Sequence, residues 1–248
     1  MRTFVHQLRA DQLIFWRGRE SAVFVFIFPV LLFVLLGTVY SGTYRGQPLA
    51  DYLVPALIAY GVANTTFGGL AITLVLRREY GILKRLRATP LPPPTYMTAV
   101  VVSSLLVFVL QAVAIVVIGR LAYGAELEGD TLSLVLTFLY AAICFAAMGV
   151  GLASVIKSAE GSSAVVNVIT LPMTFLSGGF GPTREFPTVL QAIADVLPLT
   201  YVIDLVVGIV YDGKTLWDQP RAIAVLGAWG LVGALVAGRR FSWEPRER

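Results

Sequence analysis

Residues 208–215 read GIVYDGKT, the stretch of this sequence that comes nearest to a known chemistry. Gly208, Gly213, Lys214 and Thr215 fit the pattern G-x-x-x-x-G-K-[ST], in which backbone N–H groups and a lysine hold nucleotide phosphates. Such a loop follows a buried strand and opens a helix whose N-terminus faces the phosphate. Here the apolar spacing instead predicts that Gly208 lies inside a helix. We therefore expect no nucleotide site at this stretch.

Other reactive side chains are scarce. The chain has one cysteine, Cys144, and one histidine, His6. A disulfide within the chain and a metal site built from several cysteines and histidines are therefore excluded, and no second histidine could assist a histidine base. The acidic residues between the apolar segments show no spacing typical of a catalytic pair. We predict a chain that is not an enzyme, with no catalytic, metal or cofactor-binding residue of its own.

Composition places the chain in a membrane. Of its 248 residues 57% are hydrophobic and 14% charged, whereas soluble domains carry about 25% charged residues. A helix needs about 20 apolar residues to cross the hydrocarbon core. Six stretches of sufficient apolarity predict an all-α polytopic membrane protein, a single transmembrane domain over 1–248. The predicted spans are about 21–42, 52–76, 95–119, 131–156, 161–181 and 222–238.

The positive charges predict the orientation of these spans. Fourteen of the 19 Lys and Arg residues lie in the N-terminal segment, the loop after the second span, the turn after the fourth span and the C-terminal tail. Cytoplasmic flanks collect Lys and Arg. We expect both termini in the cytoplasm of a bacterium, with the protein in its inner membrane. The basic balance then reflects orientation and requires no nucleic-acid partner.

Three segments outside the spans have distinctive patterns. Residues 1–20 form an amphipathic pattern, which predicts a helix lying along the membrane interface. Residues 77–94, RREYGILKRLRATPLPPP, combine a short amphipathic helix with a proline-rich end. Residues 182–220 contain two apolar helical pieces, each too short or too interrupted by Asp to cross, which predict an extracellular cap of re-entrant helices.

Two of these segments carry a resemblance to a known family. REYGILKRLRATPL (78–91) and FLSGGFGPTREFPTVLQAIADVLPLTYVIDLVVGI (175–209) resemble the membrane subunit of type-2 ABC exporters, the group that includes daunorubicin-resistance permeases and polysaccharide or lipid exporters. The resemblance implies a permease that pairs with a second copy or a paralogue and with two cytoplasmic ATPase subunits. ATP and Mg would then be bound by the ATPase, and the helix within 77–94 would be a coupling helix.

The resemblance also implies roles for particular positions. The ATPase contact would fall on Arg78, Glu79, Tyr80, Gly81, Lys84 and Arg85. The second and fifth spans would line the translocation path, where the candidates are Asn64, Thr65, Thr66, Asn167, Thr170, Pro172 and Phe175. The extracellular gate would include Phe180, Pro182, Pro198 and Tyr201. The polar path candidates, and Gln111 in the third span, could equally be hydrogen-bonding contacts between helices.

The source of energy follows from what the spans lack. The six predicted spans contain no ionisable residue, whereas ion-coupled carriers usually need intramembrane carboxylates or histidines. The prediction is therefore an ATP-driven export permease for a hydrophobic or amphipathic substrate such as a drug, lipid or glycolipid. A polysaccharide or glycoconjugate exporter, or an ion-coupled secondary carrier, stays open as an alternative.

Overall fold

The computed structural model describes residues 2–39, 43–44, 47–125, 129–181 and 186–245. Its regular elements are mostly helices, with one hairpin of two-residue strands, β1 (Thr43–Tyr44) and β2 (Gln47–Pro48), that the sequence patterns did not predict. The helices are α1 (Arg2–Arg17), α2 (Arg19–Val39), α3 (Leu49–Gly61), a π-helix (Val62–Gly69), α4 (Leu70–Glu79), α5 (Ile82–Arg87), α6 (Pro93–Tyr123), α7 (Thr131–Val155), α8 (Ser162–Leu176), α9 (Thr188–Ala194), α10 (Pro198–Tyr211), a 3₁₀ turn (Leu216–Asp218) and α11 (Pro220–Arg240).

Within the described ranges, five helices are long and apolar enough to cross a membrane. They are α2, the continuous helix formed by α3, the π-helix and α4, then α6, α7 and α11. The all-α polytopic architecture is thereby confirmed. The sixth predicted span, 222–238, forms part of α11, whose 21 residues extend about 32 Å and cross the hydrocarbon core without strain.

The fifth predicted span, 161–181, needs correction. Helix α8 has 15 residues and ends at Leu176, so it extends about 22 Å, less than the thickness of the hydrocarbon core. It ends early because the chain turns at Ser177–Gly181, where Gly178 has φ 90° and its conformation favours glycine. Helix α8 alone therefore reaches only part of the way across.

Helices α9 and α10 form a hairpin beside this short helix. They meet at an angle of 92°, and the indole N–H of Trp229 donates to the carbonyl of Val196 in the turn between them at 3.1 Å. Trp229 is nine residues beyond the start of α11, which places the turn about 14 Å below that end of the bundle. The described part of the predicted cap is thus a sharply bent helix pair, the form of either a broken span or a re-entrant loop.

Glycines allow the central helices to touch. A side chain on Gly151 of α7 would lie 2.6 Å from the carbonyl oxygen of Gly233 on α11, and one on Gly149 would lie 2.7 Å from the carbonyl oxygen of Phe67 in the π-helix. Because small residues let helix backbones approach closely, α7 is packed against both the π-helix and α11. These three elements form the centre of the bundle.

The two ends of the bundle differ in charge. At one end, which we call the basic end, α4, α5, α6, α7 and α8 contribute to one apolar cluster, and the segment after α11 packs on it through Phe241 and Trp243. The exposed cations around this end include Arg85, Arg87 and Arg239. At the opposite end, which we call the acidic end, the connections carry Asp130, Asp212 and Asp218 among others.

Candidate functional site

A cavity of about 410 Å³ and a larger one of about 710 Å³ open on different sides of the bundle. The larger one, which we call the inner cavity, lies between α1, α2, the π-helix with α4, α6 and α8. Its lining combines apolar side chains, among them Phe24, Val107 and Val166, with Asn64 and Asn167. This mixture can accept a molecule that has both apolar and hydrogen-bonding parts.

The π-helix positions part of this lining. Each of its turns closes one residue later than an α turn, a feature often found at functional sites. The hydroxyl of Thr66 donates to the carbonyl of Val62 at 2.7 Å, which stabilises the widened backbone from inside. Asn64 and Thr65 then line the inner cavity.

The predicted path residues divide into two groups. Asn64, Thr65 and Asn167 lie on the inner cavity, although Thr65 also donates its hydroxyl to Gln111 Oε1 at 2.8 Å and so joins two helices. The other candidates are absent from the lining of this cavity. Thr66 and Thr170 are buried between helices, whereas Pro172 and Phe175 lie on the exposed side of α8.

An ion pair stands at the wall of the inner cavity. Arg77 Nη1 of α4 lies 2.8 Å from Asp11 Oδ1 of α1, with side chains only 12% and 2% exposed. Arg77 also donates to the hydroxyl of Tyr96 on α6 at 3.0 Å, and the Tyr96 ring contacts Trp243. This group of Asp11, Arg77 and Tyr96 was not predicted from the sequence. One indication of it is visible there, because Asp11 is the lone acidic residue of the basic segment 2–17.

Arg78 has to be removed from the predicted ATPase-contact surface. Its side chain is buried, and its guanidinium donates to the carbonyls of Ala153 at 2.8 Å and Ile156 at 2.6 Å and to Glu79 at 2.9 Å. Those carbonyls belong to the C-terminal end of α7, where helix geometry leaves backbone acceptors without intrahelical partners. Arg78 therefore fastens α4 to α7 within the chain.

The rest of the predicted contact segment is accessible except for Glu79, whose side chain is 17% exposed and pairs with Arg78. Tyr80 is 65% exposed, and Lys84 and Arg85 are exposed on α5. Gly81 has φ 70°, a left-handed conformation that turns the chain sharply between α4 and α5. Helix α5 is anchored underneath by Leu83, which is buried in the cluster of the basic end. The result is a short basic helix presented on that end.

The predicted gate residues lie around the α9–α10 hairpin. Phe180 contacts the rings of Tyr60 and Phe175, and Pro198 is buried as the first residue of α10. The hydroxyl of Tyr201 donates to the carbonyl of Asp195, beside the smaller cavity. Pro182 lies outside the described residues.

A polar contact joins α8 to this hairpin. Thr200 Oγ1 lies 2.9 Å from Ser177 Oγ and 2.6 Å from the carbonyl oxygen of Ala194. These bonds hold the end of the short α8 against the turn between α9 and α10. Helix α8 and the α9–α10 hairpin are thus packed end to end, and together they extend further along the bundle than α8 does alone.

The structure also explains why GIVYDGKT does not form a phosphate loop. Helix α10 contains Gly208 and ends at Tyr211. The backbone N–H of Lys214 donates back to the carbonyl of Gly208 at 3.0 Å, and Lys214 Nζ lies 3.4 Å from Asp212 Oδ2. The stretch is the C-terminal end of a helix, where carbonyls rather than N–H groups are presented, so its polarity is wrong for phosphate.

Fold and site together define a class, a multi-pass helical membrane protein whose bundle has an open cavity lined by apolar and a few polar side chains, beside a short exposed helix. Residues 4–211 match the family described as ABC-2 type transporter, and the chain belongs to this family. It is 25% identical over 186 residues to the inner membrane transport permease YhhJ of Escherichia coli, a match covering 72% of the chain and 50% of YhhJ. It is 27% identical over 165 residues to the probable multidrug ABC transporter permease YbhR of Escherichia coli, covering 64% of the chain and 44% of YbhR.

Other organisms hold similar proteins as well. The putative transport permease YvfS of Bacillus subtilis is 23% identical over 185 residues, covering 73% of the chain and 75% of YvfS. The putative transport permease ycf38 of Porphyra purpurea is 26% identical over 226 residues, covering 87% of the chain and 75% of that protein. The chain spans about half the length of the Escherichia coli relatives that it matches.

Proposed function

We propose that this chain is the membrane subunit of an ATP-driven exporter, whose substrate enters the inner cavity from the cytoplasmic side. The inner cavity is the observation that carries the proposal, because it places Asn64 and Asn167 among apolar side chains in the part of the bundle nearer the basic end. Assigning the basic end to the cytoplasm follows the positive-inside rule. The smaller cavity and the α9–α10 hairpin then face the outside and form the exit.

The energy would come from a separate ATPase bound at the basic end. Helix α5 supports this because it is exposed and basic and is joined by the short turn at Tyr80–Gly81 to α4, which lines the inner cavity. A complex of two ATPase subunits with this chain and a second copy or paralogue would complete the transporter. The exposed apolar side of α8, with Val168 and Phe175, is available for that second permease.

The cavity favours an amphipathic substrate such as a drug, a lipid or a glycolipid. Its apolar walls would bury hydrocarbon or aromatic surface, and the two asparagine side chains would orient polar groups. The similar permease YbhR is named as a probable multidrug ABC transporter permease, which supports a drug as one member of this class.

The test is ATP-dependent transport by the reconstituted complex. The chain is expressed in its own organism and purified together with the ATPase that binds it. The complex is placed in liposomes and supplied with ATP outside and fluorescent amphipathic dyes. Inward movement of a dye, which corresponds to export in the cell, is expected only with hydrolysable ATP. Absence of a co-purifying ATPase, or transport that continues without ATP, would refute the proposal.

The variant Asn64→Leu tests the path. Replacing an amide by an isobutyl group removes hydrogen bonds worth about 1 kcal/mol, so we expect the apparent affinity for a polar amphipath to fall by about fivefold, with the ATPase still bound. Thr98→Leu is the control, because Thr98 is exposed on α6 and is absent from the cavity lining. Equal transport by both variants would show that the inner cavity is not on the path.

A further inference from the structure

Helix α1 is attached to the bundle by polar contacts and by a few half-buried apolar side chains, and none of its residues belongs to a buried apolar cluster. Asp11 is its one buried residue, and all sixteen residues of this helix, Arg2–Arg17, are described. Gln12 Nε2 adds hydrogen bonds to the carbonyl oxygen and the hydroxyl of Ser103 at 3.0 and 2.8 Å. The large apolar side chains Val5, Leu13, Ile14 and Trp16 are exposed. A helix held in this way can move without opening an apolar core.

The residue that holds Asp11 is directly connected to the exposed basic helix. Arg77 lies three residues before Tyr80, where the chain turns at Gly81 into α5. Its neighbour Arg78 is fixed to the end of α7. The end of α4 therefore has two attachments of different kinds. One reaches the packed centre of the bundle, and the other reaches α1, whose large apolar side chains are mostly exposed.

The ion pair also belongs to the wall of the inner cavity. Asp11, Ile14 and Phe15 of α1 and Arg77 of α4 all line it, so a displacement of α1 changes the cavity's width. Separating two buried charges is costly unless each finds a new partner. A movement of the end of α4 is therefore followed by α1 as long as the pair is intact.

On the basis of the function proposed above, we infer that Asp11 and Arg77 are positioning residues for transport. Their ion pair makes the α1 wall of the inner cavity follow the α4–α5 segment when an ATPase displaces it. The pair transmits movement and does not contact the ATPase. A purely structural attachment of α1 would need the same contact but would leave the ratio of transport to ATP hydrolysis unchanged.

The first experiment measures that ratio in the reconstituted complex of the full chain with its ATPase. Asp11→Asn and Arg77→Gln are expected to keep ATPase binding and ATP hydrolysis within about twofold, while the amount transported per ATP falls by about tenfold or more. The double variant should be no worse than the poorer single variant. The matched controls Glu244→Gln and Arg17→Gln change exposed charges and should transport normally.

A second experiment does not depend on how well the charge variants fold. The protein carries the substitutions Gln12→Cys and Ser103→Cys together with Cys144→Ala. A short bis-methanethiosulfonate reagent then joins the two new cysteines and fixes α1 to α6. Transport should stop while ATP hydrolysis continues, and a reducing agent should restore transport. Undiminished transport by the cross-linked protein, or a normal transport-to-ATP ratio in Arg77→Gln, would overturn the inference alone. A parent complex without ATP-dependent transport would overturn the proposed function as well.

Discussion

Replacing Arg78 by methionine should destabilise the whole bundle rather than weaken a surface contact. Arg78 is buried, with 1% of its surface exposed, and methionine keeps an unbranched apolar side chain in its place. What is lost is the set of charge-assisted bonds to Ala153, Ile156 and Glu79. The two carbonyls at the end of α7 are then left buried without these donors.

The magnitude follows from those two carbonyls. Leaving a buried acceptor without a partner costs about 1–3 kcal/mol, and a cation at a helix C-terminus contributes about 0.3–1 kcal/mol more. We expect a loss of about 2–7 kcal/mol in the free energy of unfolding on these grounds. At about 1.4 kcal/mol per factor of ten, the unfolded fraction should rise by at least about 25-fold.

The chain contains its own reporter for the assay. Cys144 is the single cysteine and is buried on α7 against Gly230 of α11, so a fluorogenic maleimide reacts with it when the bundle opens. Its labelling is followed in mild detergent with increasing dodecyl sulfate. Arg87→Met, which removes an exposed arginine, is the control. If Arg78→Met labelled as slowly as the control, the carbonyls of α7 would not depend on this guanidinium.

Two further predictions also concern stability. The first uses the same labelling assay, and the second uses circular dichroism in mild detergent with increasing dodecyl sulfate, because a thiol hardly reacts with a maleimide at about pH 3. Gly151→Ala should lower the free energy of unfolding by about 1–3 kcal/mol, because the new methyl group would lie 2.6 Å from the backbone oxygen of Gly233. The control is Gly238→Ala, whose methyl group meets nothing within 4 Å and should be neutral or stabilising. Equal stability of the two variants would refute close α7–α11 packing. Hydrogen bonds from Ser133, its hydroxyl foremost, hold the pKa of Asp130 below its ordinary value, so the contribution of this helix cap is complete above about pH 4 and is lost as the pH falls through the lowered pKa. Asp130→Ala should therefore be less stable than the parent protein at pH 7, and this difference in stability should narrow toward pH 3. Asp130→Asn should retain most of the stabilisation that the cap provides. A difference in stability between Asp130→Ala and the parent that did not change with pH would contradict this assignment.

Much of the fold could be predicted because crossing a membrane depends on length and apolarity, both of which are visible in sequence. The short α8 could not, because the apolar run continues through Ser177–Gly181 and only backbone geometry shows that the glycines turn the chain there. The π-helix was invisible for a similar reason. Its residues 62–69 are compatible with an α-helix, and its wider turns are a property of packing against α7.

Two residues of the inner cavity could be singled out from the sequence by polarity alone. Asn64 and Asn167 stand out as the two asparagines of the chain, and both line the inner cavity. Arg77 and Arg78 are adjacent and look alike in sequence, yet one pairs with Asp11 and the other caps α7. That division follows from the direction in which each side chain leaves α4, about 100° apart, and required the arrangement of the neighbouring helices.

The π-helix makes residues 62–69 the part of the second span where a change of length is tolerated. Its wider turns hold more residues per turn than an α-helix does. Removing one residue from 62–69 would let the span close as a continuous α-helix, and the tighter turns would offset most of the rotation of about 100° that one residue contributes. Arg77 would then keep facing Asp11, and Arg78 the end of α7. The same deletion within the α-helical residues 70–76 has no wider turn to absorb it, so it would rotate both arginines by about 100° away from their partners.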